Sequence, residues 1–527
     1  MTQLQPAATV HAGRGMVCSV DHLASQAGVA MLRAGGTAVD AAVATSAVLS
    51  VTSPHLCGMG GDLMAVVVVP GTNPLSLNAS GRAGSGADSA RLRAEGHAVM
   101  PMRGDIRSVT VPGCVDGWLA LHERYGALAL TEVLAPAQSY ALDGFPASPT
   151  LAASVDRVAA LPEAVDLTGS GPVTAGTWLR RPGVASALSA ITAHGRAGFY
   201  QGEFGEGLIA LGDGEFSEDD LSMTHAEWTD ALSIDAWGHR LWSVPPNSQG
   251  YLTLASAWIA SGLELPQDVT DPLWPHFLVE ASRQAGHDRL AVLFEGADAH
   301  QLLNPRILAE RRARIDPNHA VALGDAYRAG DTVALCAVDQ HRMGVSILQS
   351  NASGFGAHIV VPGVRIFLHN RGVGFSLEAG HPGELGPRRR PPHTLSPLAV
   401  TNPDGTLRAV AGTMGGDGQP QILLQLLTRY LVNGQHPGPA VAAGRWVLTG
   451  GPTGFDTWHE NGDRVSVLLE GHAPSSWADG LSRRGHRVEQ TDAFSHAFGH
   501  AHLIVAEDDY LSAGTDPRPR FGSAAGY

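Results

Sequence analysis

Residues 329–351 read AGDTVALCAVDQHRMGVSILQSN, and two extended apolar runs stand in that stretch. The first, 332–338, is rich in Val, Ala and Leu. A polar break at 339–342 follows, and then a second run at 343–348. This pattern predicts a β-hairpin whose first strand opens on Thr332. Gly330 and Asp331 supply turn chemistry just before it. A cut before Thr332 would leave a chain that begins with a hydroxyl and a free α-amine on one residue. That pair is a nucleophile with its own general base. An α-amine titrates near 7.7–8.0, so a useful fraction is neutral at about pH 7. The residues also fit a plain loop leading into a core strand, because Gly-Asp-Thr is ordinary turn chemistry.

On both sides of Thr332, further segments fall in order. They are MLRAGGTAVDAAVATSAVLSVTSPHLCGMGGDLMAVV (31–67), SVTVPGCVDGWLALHERYGALALTEVLAPAQSYALDGF (108–145), NRGVGFSL (370–377), RPPHTLSP (390–397), GTMGGDGQPQ (412–421) and the closing DPRPRFGSAAGY. With GDTVALCAVD they make the chain resemble the gamma-glutamyltranspeptidase family of N-terminal-nucleophile hydrolases over nearly its whole length. The family more often has Thr-Thr-His where this chain has Thr332-Val333-Ala334.

The resemblance implies an α+β fold, a helix–sheet–sheet–helix (αββα) sandwich built jointly by both halves of a self-cleaved precursor. Cleavage would fall between Asp331 and Thr332, giving a large part, 1–331, and a small part, 332–527. It also implies Thr332 as nucleophile and Gly415-Gly416 as the oxyanion hole. Paired glycines before a helix let backbone N–H groups approach a developing oxyanion. The same residues also suit an ordinary strand-to-helix turn.

Other assignments follow from the resemblance alone. Arg82 matches the arginine that holds the substrate's α-carboxylate, a task its planar fork suits. Thr394 occupies the second position of the family's serine pair, with His393 at the first. Asn351 matches an asparagine near Phe355-Gly356, one residue out of step. In NRGVGFSL the family's amine-binding acid is replaced by Gly374, and a preceding glutamine by Arg371. The substrate ammonium would therefore lack its usual carboxylate partner. The segment between Ser376 and Gly386 is short, which implies an open donor site.

The function implied is transfer or hydrolysis of γ-glutamyl amides such as glutathione, with water or an amino acid as acceptor. An acylase for glutaryl-type amides without the α-amine is the alternative. An uncleaved, non-catalytic relative is a third reading.

Composition sets limits. A 527-residue chain with 44% hydrophobic and 16% charged residues is globular with ample core. A formal charge of −15 argues against a nucleic-acid partner. Four scattered cysteines form no CxxC pair. No cofactor is expected. HAFGHAH (496–502) suggests no metal site, and GMGGD (58–62) is too weak for a dinucleotide fingerprint. Arg388-Arg389-Arg390 reads as a solvated loop. No membrane span is expected, and the start lacks an apolar leader, which predicts a cytoplasmic protein. A helix with Val39, Val43 and Ala47 on one face is predicted after a Thr37/Asp40 capping box. An amphipathic helix is predicted over 419–434, and helices with turns over 150–310.

Overall fold

The hairpin read from the sequence forms the middle of a seven-stranded sheet. In the computed structural model, which describes residues 7–169, 171–323, 332–450 and 465–527, Val333–Val338 pairs antiparallel with Gly344–Ser350. The turn between them closes on Asp339, whose carboxylate accepts from the His341 and Met343 amides. Thr332 stands immediately before the first strand rather than inside it. Gly330 and Asp331 lie outside the described residues.

The sheet runs in the order Ser523–Gly526, Met16–Ser19, Val333–Val338, Gly344–Ser350, Asp62–Val68, Leu75–Ala79, Glu227–Asp230. A second seven-stranded sheet runs Val10–Ala12, Leu511–Thr515, Ala501–Ala506, Leu407–Thr413, Leu398–Thr401, His239–Ser243, Leu232–Ala236. All neighbours in both are antiparallel. Each sheet mixes strands from before and after Thr332, so the two parts of the chain share one fold.

Side-chain alternation along the strands builds the layers. Ala334 and Cys336 turn inward with Met16, Met64 and Leu348 to meet Ala399, Val410 and Ile504 of the second sheet. Val333, Leu335 and Ala337 turn outward onto a helical layer that includes His22–Arg33 and Ala38–Thr52. The second sheet's outer face is covered by Gly250–Ser261, Leu273–Gly286 and Gln419–Leu427. Helix, sheet, sheet, helix is the sandwich that the resemblance implied.

Two helices differ from the sequence pattern, for related reasons. Ala38–Thr52 starts on the Thr37/Asp40 capping box, but every residue in it is buried, not one face. It is wedged between the hairpin and the helices His22–Arg33, Cys114–Tyr125 and Leu130–Asp143. Its polar side chains are satisfied inside, as in Ser46 Oγ to Gln349 Oε1 at 2.6 Å. Gln419–Leu427 is likewise wholly buried. Its glutamines feed a strand edge: Gln421 accepts from the Leu448 amide at 2.7 Å, and Gln425 bonds both the N–H and the carbonyl of Trp446. Polar residues there serve the backbone, not solvent.

Candidate functional site

Thr332 continues the alternation of Ala334 and Cys336, so its side chain enters the layer between the sheets. It is 1% exposed. Its Oγ1 donates to Ser350 Oγ at 3.1 Å. Ser350 is paired across the next strand boundary with Asp62. Thr332, Ser350 and Asp62 thus form a polar row at the end of the interior layer. Ser350 also accepts the Ala352 amide at 2.8 Å, which fixes its hydroxyl.

The strand Leu407–Thr413 lies over this row. A Cβ on Gly412 would stand 3.0 Å from the Ala334 Cβ, so the sheets touch there. The chain then continues toward the Thr332 end as Met414-Gly415-Gly416. Gly415 has φ 139° and Gly416 φ 55°, both in the region that favours glycine. A short turn, Gly416–Gly418, leads into the helix Gln419–Leu427.

One glutamine clamps this turn to the neighbouring loop. Gln249 Nε2 donates to the Gly416 carbonyl at 2.8 Å and to the Thr394 carbonyl at 3.0 Å. Arg289 holds Gln249 Oε1 at 3.1 Å and makes a two-armed ion pair with Asp417 at 2.6 and 3.0 Å. Thr394 Oγ1, Asn351 Oδ1 and Gln419 Nε2 are buried at this end with no partner among the described residues.

Asp62 anchors the other side. Its Oδ1 accepts from the Gly81 and Gly113 amides at 2.9 and 3.3 Å, and its Oδ2 lies 3.1 Å from His393 Nε2. Burial pushes the carboxyl up, but the imidazoles of His369 and His393 with the Gly81 amide more than reverse this, so Asp62 stays below the usual carboxylate range. The loop before it needs its glycines. A Cβ on Gly60 would stand 2.1 Å from the Phe367 carbonyl oxygen, and one on Gly61 2.3 Å from that of Ser350.

Arg371 is 1% exposed. Burial lowers its pKa to about 10, while Asp62 and Asp417 pull the other way. It follows Asn370, which is hydrogen-bonded to the Asn351 carbonyl and the Ser353 amide. Asn351 itself donates from Nδ2 to the Pro54 carbonyl at 3.1 Å.

Arg82 is placed differently from this group. Its guanidinium pairs with Glu295 and the Arg388 carbonyl, with Glu227 3.9 Å away. Arg388-Arg389-Arg390 is a solvated loop only at Arg388 and, in part, Arg389. Arg390 is buried and bonds Glu227, the Ser80 carbonyl and the His225 carbonyl, while Arg388 pairs with Asp220. Arg82 and Arg390 are drawn in because Glu227 and Glu295 offer carboxylates at this edge, whereas Arg388 stays exposed. A Cβ on Gly374 would stand 2.7 Å from the Pro392 carbonyl oxygen. An acid there needs the Pro391-Pro392 backbone to move.

Sequence reasoning did not single out Ser350, Asp62, Gln249, Arg289 or Asp417. Hairpin register could have found Ser350, since Val333 opposite Gln349 sets Thr332 opposite Ser350. No local pattern marks Gln249 or Arg289, which reach the site from helices distant in sequence.

Several imidazoles are held neutral by burial. His55 and His486 are lowered to about 3, and His225 and His502 to about 4. The unfolded chain takes up these protons near pH 6.5, while the folded chain does so only near 3 to 4. Stability is therefore present above about pH 6.5 and lost as pH falls, by about 1.4 kcal/mol per pH unit for each histidine. Calorimetry should show Tm falling between about pH 6.5 and 4. A flat Tm across that window contradicts buried neutral imidazoles.

Among the described residues, no cluster of three or more His, Cys, Asp or Glu is arranged to hold an ion. No described helix is long and apolar enough to cross a membrane.

Comparison with known proteins finds relatives over nearly the whole chain. The chain is 35% identical to an oxamate amidohydrolase proenzyme of Klebsiella pneumoniae, covering 97% of this chain and 98% of that protein. It is 35% identical to the glutathione hydrolase-like YwrD proenzyme of Bacillus subtilis, covering 95% and 97%. A solved cephalosporin acylase from Bacillus halodurans superposes with a TM-score of 0.90 at 32% identity, over 100% of this chain and 98% of that one. The family model for gamma-glutamyltranspeptidase matches residues 24–527. The chain belongs to the gamma-glutamyltranspeptidase family of N-terminal-nucleophile hydrolases.

Proposed function

We propose that this protein is a self-processing threonine amidohydrolase for amides whose acyl part carries a carboxylate. The observation that carries the reading is Thr332, buried and bonded to Ser350 at the head of the central hairpin. Cleavage between Asp331 and Thr332 frees the Thr332 α-amine. That amine takes the hydroxyl proton as Oγ1 attacks the amide carbonyl. The N–H groups of Gly415 and Gly416 stabilise the oxyanion. The C–N bond breaks, the amine leaves with the proton, and an acyl ester on Thr332 remains. Water or an acceptor amine then attacks that ester and restores the hydroxyl. Residues 1–331 and 332–527 stay together after cleavage, because their strands interleave in both sheets.

Thr394 Oγ1 and Arg371 are assigned to the substrate carboxylate, with Asn351 and His393 shaping the pocket. Arg82 takes part only where a substrate displaces Glu295. The γ-glutamyl amides, glutathione included, are one donor class, and the glutathione hydrolase-like relative supports it. Gly374 supports donors without an α-amine, glutaryl amides or oxamate, as does the oxamate amidohydrolase relative.

A donor panel of γ-glutamyl anilide, glutaryl anilide and oxamate tests this. Comparable or better kcat/KM for the donors lacking an amine is expected. A preference of about a hundredfold or more for the γ-glutamyl donor, equivalent to a buried charged contact, overturns it. Gly415→Ala should lower kcat by about 10²–10³-fold, the cost of a misplaced oxyanion donor. The added Cβ meets a φ of 139° and stands 3.0 Å from the Ile422 Cδ1. Unchanged kcat removes Gly415 from the mechanism.

A further inference from the structure

The Gly415-Gly416 turn has little stiffness of its own. Both residues have positive φ, where glycine moves freely, and the peptide between them carries the Gly416 N–H. The plane of that peptide is set by the Gly415 carbonyl, which accepts from the Gly418 amide at 2.8 Å. The bond lasts only while the turn Gly416–Gly418 stays closed. Residues from before Thr332 close it from outside. Gln249 Nε2 donates to the Gly416 carbonyl, and Arg289 grips both carboxylate oxygens of Asp417. Gln249, Arg289 and Asp417 are all buried.

The side-chain amide of Gln249 is used in full. Arginine only donates, so Oε1 faces Arg289, and both Nε2 hydrogens are left for two carbonyls. One carbonyl belongs to Gly416 and the other to Thr394. The backbone is tied to the same loop. The Gln249 N–H donates to the His393 carbonyl at 2.8 Å, and Ser248 Oγ donates to the Leu395 carbonyl at 2.6 Å. Thr394 Oγ1, buried without a partner among the described residues, sits between these anchors. One side chain therefore joins the loop assigned to the substrate carboxylate to the turn assigned to the oxyanion.

We propose that Gln249, oriented by Arg289, is a positioning residue that couples the two. A carboxylate seated against Thr394 brings the Gly415 and Gly416 N–H groups into place for the reacting carbonyl. The proposal rests on the Thr332 mechanism and on Thr394 as a carboxylate contact. Its consequence is that a carboxylate on the acyl part raises kcat, not affinity alone, because contacts remote from the reacting bond act in the transition state. Residues before Thr332 thereby hold the oxyanion turn that lies after it.

Steady-state kinetics with glutaryl anilide and pentanoyl anilide, in which a methyl group replaces the carboxylate, test this. Wild type should show a kcat about tenfold or more higher for the glutaryl donor. Gln249→Glu, ionised beside Arg289, keeps the shape but offers neither carbonyl a donor. It should lower kcat for the glutaryl donor by about 10- to 100-fold, less than the loss of an oxyanion donor itself. KM should change by less than about threefold, and the two donors should then have kcat values within about twofold of each other. Arg289→Lys keeps the charge but loses the two-armed grip. It should show the same pattern in smaller measure, and it serves where Gln249→Glu does not mature. Equal wild-type kcat for the two donors overturns the proposal. So does wild-type kcat in both variants, a loss carried by KM, or a donor ratio that survives both substitutions. An unaltered Tm confirms that each variant is folded. The acyl mass on Thr332 in wild type reads the underlying chemistry separately, so an enzyme acylated there yet indifferent to both substitutions fails the coupling alone.

Discussion

Thr332→Ala should yield a single uncut chain with no measurable turnover. The substitution removes the hydroxyl that both self-cleavage and acyl transfer require. Loss of a nucleophile from such a unit costs about 10⁴-fold or more in kcat. Thr332→Ser should retain part of both activities, since it keeps the hydroxyl and the amine. Intact-mass analysis of fresh and aged protein, with turnover measured in parallel, reads both steps. Full maturation and activity in the alanine variant require another nucleophile. The buried cysteines Cys18, Cys57, Cys114 and Cys336 are poor substitutes, because burial pushes every one of their thiols above its ordinary value.

Asp62→Ala should destabilise the fold by about 3–5 kcal/mol. Asp62 is the shared acceptor for His393 and for the Gly81 and Gly113 amides, all in the interior. Without it those donors are buried unpaired. Asp62→Asn should cost less, since its amide keeps the shape and one acceptor. Urea unfolding in the uncut Thr332→Ala background keeps the transition within one chain. A loss below about 1 kcal/mol for the alanine variant shows that Asp62 is not the anchor of this end of the sandwich.

The hairpin, the capping box at Thr37 and the Gly415-Gly416 turn were legible because each depends on local chemistry: strand periodicity, a side chain reaching its own helix end, and backbone that favours glycine. The three strands between Glu227 and Ser243 were not. That segment was expected to be helices and turns, yet Glu227–Asp230 and Leu232–Ala236 form edges of the two sheets and His239–Ser243 pairs with the distant Leu398–Thr401, so distant partners decide conformation. The helix Gln419–Leu427 showed a polar stripe, but its glutamines face a strand edge instead of water. Arg82 and Arg390 were named from their type and place in the chain. Their carboxylate partners Glu227 and Glu295 come from segments far away in sequence, so the ion pairs could not be seen. Ser350 was within reach of hairpin register, whereas Gln249 and Arg289 were not.

The destination of the acyl group tests Thr332 as the nucleophile most directly. The processed enzyme, quenched during turnover of a glutaryl or γ-glutamyl donor and digested at arginine, should carry the donor's acyl mass on the peptide of residues 332–342. Fragmentation should place that mass on Thr332, now the first residue of its chain. An adduct on any other residue, or turnover by a chain still uncut before Thr332, contradicts it.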